Sequence, residues 1–551
     1  MNLELRRKLD RITNTLFAGG VSYPVTYIEQ ISYLIFLKLL DEEENRREQR
    51  SRMGATGGGK SLYPAQSERY RWSKWRFKSG TDLHDFIRDE VFPYMASLAK
   101  DAPEVAEYFR DAKLEISDAN VLKEVVDELD SVNFTELGPD VKGDIYEYLL
   151  TYLSKINAQD LGQFRTPRQI RSFMVEMIDP DAGDTIFDPA CGTAGFLIDA
   201  VDYMLAKYSS AEHLSEYPIY GEDWLEKKGK ALSQLKVEIP NLQTYRKGYG
   251  DKLPVEWDVL EASIFGTDVS RQMVRIAMMN LVLHGISKAK LKRANSLSDM
   301  GGLSEDDLRR KYKVILANPP FAGQLPKDSI RSDLPTNSKK SELLFLSLMM
   351  QHLAPGGRCA VVVPEGLLFG STGAYVELRK RLVEDFDLLA VVSLPAGVFK
   401  PYAGVKTAVL VFRKPLADNA MRLGKVWFYE IRNDGFDPDK IAGGGRVETP
   451  DKNDIPDLLE TWKAYKASGF VSAPGVEAGS LLEAGSEEPS SWWVTTERLA
   501  EGGYNLGAGQ WKPRVAETAS DEDPVELISE VLADYQKVVA GLEKLKAELA
   551  E

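Results

Sequence analysis

Val314-Ile315-Leu316-Ala317-Asn318-Pro319-Pro320-Phe321 is a short apolar run that stops on an amide, two prolines and an aromatic ring. The apolar residues after Lys313 predict a buried parallel strand, and proline, lacking an N–H, cannot continue a sheet ladder. The chain must therefore leave the sheet at Asn318, at the carboxyl end of a strand, where open α/β sheets bind ligands. The rigid double-proline turn leaves the Pro319 carbonyl without a sheet partner, beside the Asn318 amide and the Phe321 ring. Such a group can hold a flat heterocycle bearing an amino group. The plainer alternative is a strand-ending turn with a buried Phe, and the rest of the chain has to separate the two.

Upstream, Asp184-Thr185-Ile186-Phe187-Asp188-Pro189-Ala190-Cys191-Gly192-Thr193-Ala194-Gly195-Phe196-Leu197 reads as strand, glycine turn and helix. Gly192 and Gly195 let the backbone approach a ligand closely, and the new helix presents unpaired N–H groups there. Many α/β proteins have such a turn. The next strand end is Ser263-Ile264-Phe265-Gly266-Thr267-Asp268, and an acid at that position is where dinucleotide sites grip a ribose diol. Tyr220-Gly221-Glu222-Asp223 competes at closer spacing, but the KKGK stretch behind it makes a poorer helix face. The interval from about 205 to 260 then becomes an insertion, marked by Pro218, Pro240, Gly248, Gly250 and Pro254. Leu291 to Leu297 supplies a third strand end around Asn295-Ser296, and the Val314 run is the fourth. Before all of these, Leu161-Gly162-Gln163-Phe164-Arg165-Thr166-Pro167 reads as a loop, with Thr166 capping a helix through Ile170, Phe173, Met174, Met177 and Ile178.

Downstream, residues 322–340 are polar and punctuated by Gly and Pro, which predicts a mobile loop over the site. A helix through Leu343 to Met349, a strand over Cys359 to Val363, a helix near Tyr375 to Phe386 and a strand over Leu388 to Leu394 follow. A hairpin-like pair around Tyr402 to Phe412 closes one end. Alternating strand and helix predicts a doubly wound α/β sheet for residues 156–415. Residues 1 to about 50 and 81–155 carry helical periodicity, which predicts an α-helical N-terminal domain over residues 1–155. Residues 416–515 are mixed, and 516–551 carry one amphipathic helix (Leu527, Ile528, Val531, Leu532, Tyr535, Val538), a tail suited to docking a partner.

Composition narrows the classes. A chain of 551 residues is too long for one core. Its formal charge of −15 sits awkwardly with phosphate binding, which wants a basic face, so contacts to nucleic acid must be local or supplied by a partner. Two cysteines, Cys191 and Cys359, fit a reducing cytoplasm, and with His and Cys scattered apart no metal site is expected. Apolar stretches stay below spanning length, so no membrane association is expected. Gly54-Ala55-Thr56-Gly57-Gly58-Gly59-Lys60-Ser61 matches a phosphate loop letter for letter, but DEEENRREQRSRM before it is no strand and Pro64 follows soon after, so it reads as a flexible glycine loop. Arg69-Tyr70-Arg71-Trp72-Ser73-Lys74-Trp75-Arg76-Phe77-Lys78 interleaves cations and rings; core anchoring is favoured over a DNA-facing patch.

A glycine turn after strand one, an acid after strand two and N-P-P-F after strand four form an ordered set in which a nucleoside-like cofactor meets an amino-bearing planar substrate. The set resembles S-adenosyl-L-methionine-dependent amino-methyltransferases acting on DNA, in the gamma-class order. More closely, it resembles the modification subunit of type I restriction–modification systems. The likeness covers nearly the whole chain, including Phe36-Leu37-Lys38 and Leu394-Pro395-Ala396-Gly397-Val398-Phe399.

The resemblance implies a Rossmann-like methyltransferase sheet that takes S-adenosyl-L-methionine against Gln163, Phe164, Thr166, Asp188, Ala190, Gly192, Thr193, Gly195, Phe196, Asp268 and Asn295. Asp188 would lie near the methionine amino group and Asp268 on the ribose hydroxyls. Asn295 stands where relatives often carry an acid, which weakens the expectation for the cofactor's adenine amine. Asn318, Pro319, Pro320 and Phe321 would form the catalytic quartet, with Asn318 and the Pro319 carbonyl accepting from a flipped base's amine and Phe321 stacking on the ring. The implied activity is site-specific adenine-N6 methylation of double-stranded DNA, with a separate specificity subunit, a second copy of this chain and a restriction/translocase subunit as partners. Methylation of cytosine N4 or of another amine, and a non-catalytic assembly role, are the alternatives.

Overall fold

The computed structural model describes residues 3–52, 61–132 apart from 101, 134, 148–149, 166–208 apart from 182, 262–284, 286, 289–400 apart from 322 and 337, 404–417, 423–442, 445–516 and 524–548. Its strands are β1 (Ile186–Asp188), β2 (Ile264–Asp268), β3 (Lys290–Arg293), β4 (Tyr312–Ala317), β5 (Leu353–Pro364), β6 (Asp387–Ser393) and β7 (Thr407–Arg413). They continue as β8 (Lys425–Glu430), β9 (Asp434–Ala442), β10 (Gly445–Asn453), β11 (Val476–Glu477), β12 (Leu481–Leu482), β13 (Ser491–Thr495) and β14 (Arg514–Val515). Ten of them form one mixed sheet in the order β11-β13-β8-β6-β7-β5-β4-β1-β2-β3.

The opening stretch is β4, and its alternation explains its place. Val314 and Leu316 pack into one apolar layer with Ile170 and Phe173, while Ile315 and Ala317 pack into the opposite layer with Leu344 and Met349. Both faces are buried, as parallel strands require, and Val314, Ile315 and Leu316 each contribute about 1.5–3 kcal/mol by burial. β3, β2, β1, β4 and β5 are parallel neighbours. From the centre, β1 to β3 are laid down one way and β4 and β5 the other, so the order reverses between β1 and β4. A crevice opens beyond the carboxyl ends of strands at such a reversal, and the ends here are Asp188 and Ala317.

Four expectations change. The pair around Tyr402 to Phe412 is not a terminal hairpin: β7 is a single strand inserted between β5 and β6 and antiparallel to both. The third strand ends at Arg293, and Asn295 to Leu297 form the turn after it. The region from 416 to 515 continues the same sheet, since β8 pairs with β6, β13 with β8 and β11 with β13. The 322–340 loop is fastened, by a bridge from Gln324 to Lys340 and by the buried Arg331.

The N-terminal helices Leu3–Ala18, Pro24–Arg52 and Ala119–Asp130 bury a shared core that extends to Met273, Ile276 and Met279 on the helix Arg271–Leu283. Glu29 pairs with Arg275 at 2.6 Å and Asp111 with Arg271 at 2.6 Å across that junction. Trp72 and Trp75 are buried, and the cations around them are engaged: Arg71 with Asp41, Arg69 with Glu90, Arg76 with Asp130 and Lys78 with Asp82. That stretch is chiefly a packing anchor. Residues 53–60 of the glycine loop lie outside the described residues, but the helix Pro24–Arg52 runs into it where a phosphate loop needs a strand. No helix among the described residues is long and apolar enough to cross a membrane.

Candidate active site

Two carboxylates close the first two strands. Asp188, 2% exposed, ends β1 and accepts the Ala190 N–H at 3.0 Å. Asp268, 6% exposed, ends β2 and accepts the Gly192 N–H at 3.1 Å and the Ser270 N–H at 2.8 Å. Burial pushes the Asp188 carboxyl up to about 8, with the Asp268 charge adding to the effect and the Ala190 N–H opposing it. A cation docked beside Asp188 would restore its charge.

The glycine turn between these acids is fastened from below. Its Pro189 carbonyl accepts from Thr267 Oγ1 at 3.0 Å and Ser296 Oγ at 2.9 Å, the Cys191 N–H donates to the Thr267 carbonyl at 2.9 Å, and Asn280 Nδ2 donates to the Thr193 carbonyl at 2.9 Å. Gly192 has φ +50°, and a Cβ there would meet nothing within 4 Å, so the turn is open on that side. Val269, next to Asp268, is 60% exposed.

Gly195 works differently from the expectation of ligand approach. A Cβ there would lie 2.9 Å from Arg171 Nε. Arg171 is buried, donates to Asp199 at 2.8 Å, and bonds the Thr166 carbonyl at 2.9 Å. Thr166 Oγ1 in turn accepts from Asn318 Nδ2 at 2.9 Å. Gly195→Ala is therefore expected to push Arg171 off Thr166 and lower activity about tenfold or more, since a misplacement of an ångström is costly. The overpacking should cost about 1–3 kcal/mol in thermal unfolding. Unchanged turnover would show that the Arg171–Thr166 link does not set the site.

Asn318 follows β4 with its amide turned so that Oδ1 is buried and has no hydrogen-bond partner among the described residues. No described residue donates to the Pro319 carbonyl either. The site thus carries two adjacent acceptors that have no partner among the described residues, on the chain leaving β4, which pairs directly with the β1 strand that ends at Asp188.

The structure brings Thr166, Asp188, Ala190, Gly192, Thr193, Gly195, Asp268, Asn295 and Asn318 to Phe321 to one edge of the sheet. Gln163 and Phe164 lie outside the described residues, as do Glu222 and Asp223. Phe196 and Phe321 sit in the apolar core, and Phe321 meets Phe399 edge-on with centroids 5.7 Å apart. Asn295 Oδ1 accepts the Leu297 N–H at 3.1 Å. Asn280 and Ser296 escaped sequence reasoning because each acts on a backbone carbonyl far away in the chain, a contact without a local motif, and Arg171 because its ion pair with Asp199 forms only on folding.

An open glycine turn flanked by acids, beside adjacent acceptors at the switch point of a doubly wound sheet, is an arrangement suited to a methyltransferase. Residues 138–519 match the N-6 DNA Methylase family and residues 5–129 the HsdM N-terminal domain. The chain belongs to that N-6 DNA methylase family, within the methylase subunits of type I restriction enzymes. It is 30% identical over 550 residues to the type I restriction enzyme EcoEI methylase subunit of Escherichia coli, covering 97% of this chain and 94% of that one. The StySJI methylase subunit of Salmonella typhimurium is 28% identical over 442 residues, 78% of this chain and 72% of the relative. A solved chain of a type I R-M system superposes with TM-score 0.65 at 26% identity, covering 99% of this chain and 98% of its own. A modification subunit from Vibrio vulnificus YJ016 shares the fold at TM-score 0.63 and 22% identity, over 90% and 93% of the two chains.

Proposed function

We propose that this chain transfers a methyl group from S-adenosyl-L-methionine to the N6 amine of an adenine in double-stranded DNA, at sites chosen by a separate specificity subunit. The observation that carries the reading is Asn318 Oδ1, a buried acceptor without a partner among the described residues, next to the Pro319 carbonyl. Burying a polar atom unpaired costs about 1–3 kcal/mol, which a base amine would offset. The residues fit the cofactor as well: Asp188 would take its ammonium, Asp268 its ribose hydroxyls, and the open Gly192 turn would let the backbone lie against it. When bound, the cofactor supplies an electrophilic methyl group.

The chain's own residues then do the selecting. Asn318 Oδ1 and the Pro319 carbonyl would accept the two amine N–H groups and fix the nitrogen's lone pair in direction. Positive charge grows on the amine as it is methylated, so the same acceptors bind more tightly along the reaction. Phe321, with Phe399 beside it, forms the apolar wall of the base site. Extruding the base costs a few kcal/mol, which these contacts help to offset.

Partner binding falls to the tail. On the helix Pro524–Glu548, Ile528, Val531, Leu532, Tyr535, Val538 and Leu542 are exposed, an apolar stripe that would dock a helix of the specificity subunit. The net charge of −15 leaves most of the phosphate contacts to that subunit. Two copies of this chain would flank it, and a restriction/translocase subunit would complete the assembly in the cytoplasm. Leu532→Asp is expected to abolish co-elution with the specificity subunit in size-exclusion chromatography while leaving the melting temperature unchanged. Retained co-elution would move the docking surface elsewhere.

Radiolabelled methyl transfer to DNA, followed by digestion and mass spectrometry of the nucleosides, tests the activity. N6-methyladenine is the expected product. N4-methylcytosine would overturn the adenine assignment, and no transfer with the partner present would leave an assembly subunit.

A further inference from the structure

Arg331 lies in the polar loop after the Asn318 turn, yet its side chain is fully buried. Taking a guanidinium out of water is expensive unless its donors are all met. Here they are met by four separate segments. Nε and Nη2 grip Asp333 at 2.9 and 2.7 Å, Nη1 donates to the Ser296 carbonyl at 3.3 Å and to His352 Nε2 at 3.1 Å, and Nη2 reaches the Leu308 carbonyl at 3.4 Å. The backbone joins in, with the Arg331 N–H on the Leu297 carbonyl at 2.9 Å and the Ser332 N–H on Asp299 at 3.0 Å.

His352 is suited to receive this bond. Its Nδ1 faces the Arg310 carbonyl at 2.8 Å, which fixes the tautomer with Nε2 as acceptor, and burial lowers its pKa to about 4, so the ring stays neutral beside the arginine. An apolar side chain could fill the same space but could not bond four segments at once.

Two of those segments belong to the site. Ser296 follows Asn295, and its Oγ bonds the Pro189 carbonyl at the root of the glycine turn. Arg331's own loop follows directly on Phe321. We propose that Arg331 is a positioning residue that ties the loop on the base side to the turn on the cofactor side, so that filling the cofactor site tightens residues 323–336. The inference rests on the reading of the 188–195 turn as a cofactor site. It makes this loop a fastened strap whose order depends on the other half of the site.

Hydrogen exchange of the full chain, with and without S-adenosyl-L-homocysteine, tests it. In the wild type, ligand should slow exchange at 189–193 and also, at least tenfold, at 323–336. Arg331→Lys keeps the charge but loses the fork, and Ser296→Ala cuts the next link; both should keep the slowing at 189–193 and lose most of it at 323–336. A merely structural role would lower protection with and without ligand and leave the ligand-induced difference intact. That result, or wild-type slowing confined to 189–193, overturns the proposal. Absence of any slowing at 189–193 in the wild type would instead remove the cofactor site itself, and the proposal with it.

Discussion

Asn318→Ala is expected to lower methyl transfer about 10²–10³-fold while leaving cofactor affinity within a few-fold of wild type. The magnitude follows from removing one preorganised acceptor from a site where charge develops during reaction. The separation of effects follows from geometry: Asn318 follows β4, whereas the acids end β1 and β2 and the glycine turn follows β1. Loss of the amide leaves Thr166 Oγ1 without its donor, but Thr166 remains tethered through its carbonyl to Arg171. Loss of the unpartnered Oδ1 offsets the loss of the hydrogen bond to Thr166, so the melting temperature should stay close to that of the wild type. Radiolabel incorporation beside titration with S-adenosyl-L-homocysteine measures both quantities. Turnover unchanged by the substitution would mean that the amine is held elsewhere.

The parts of this site that sequence could show are those written locally. β4 and its exit are legible because an apolar run and two prolines constrain the same few residues. Asp188 and Asp268 are legible because each ends a strand that runs into a turn and helix. The insertion of β7 between β5 and β6 was not, because an antiparallel strand reads the same whether it pairs with its neighbour in sequence or crosses to a distant edge. The burial of Arg331 was hidden for a related reason: a charged residue in a polar stretch looks solvated until the carbonyls it serves arrive from elsewhere. Gly195 shows the converse. Its identity was right for the turn, but the steric demand comes from Arg171 on another helix, not from a ligand alone.

Asp188→Asn should separate stability from binding. With the folded carboxyl pushed up to about 8 from an ordinary 3.8, the native state keeps a proton that the unfolded chain releases across that window. Stability contributed by this group is therefore fully present below the unfolded value and is lost as pH rises towards 8, with a limiting slope of about 1.4 kcal/mol per pH unit. Asparagine cannot titrate, so the variant should unfold with a flatter pH profile and be the more stable protein near pH 8. Its affinity for S-adenosyl-L-homocysteine should nevertheless fall tenfold or more, because the ligand's ammonium loses the carboxylate it would recharge. In the wild type that recharging has its own signature. Between about pH 5.5 and 7, where a free α-ammonium stays protonated, affinity should climb with pH as the cost of ionising Asp188 declines. The climb should vanish in Asp188→Asn, and calorimetric titration across that range reads both proteins. A wild-type affinity that is flat with pH would mean that Asp188 is not the group that meets the cation.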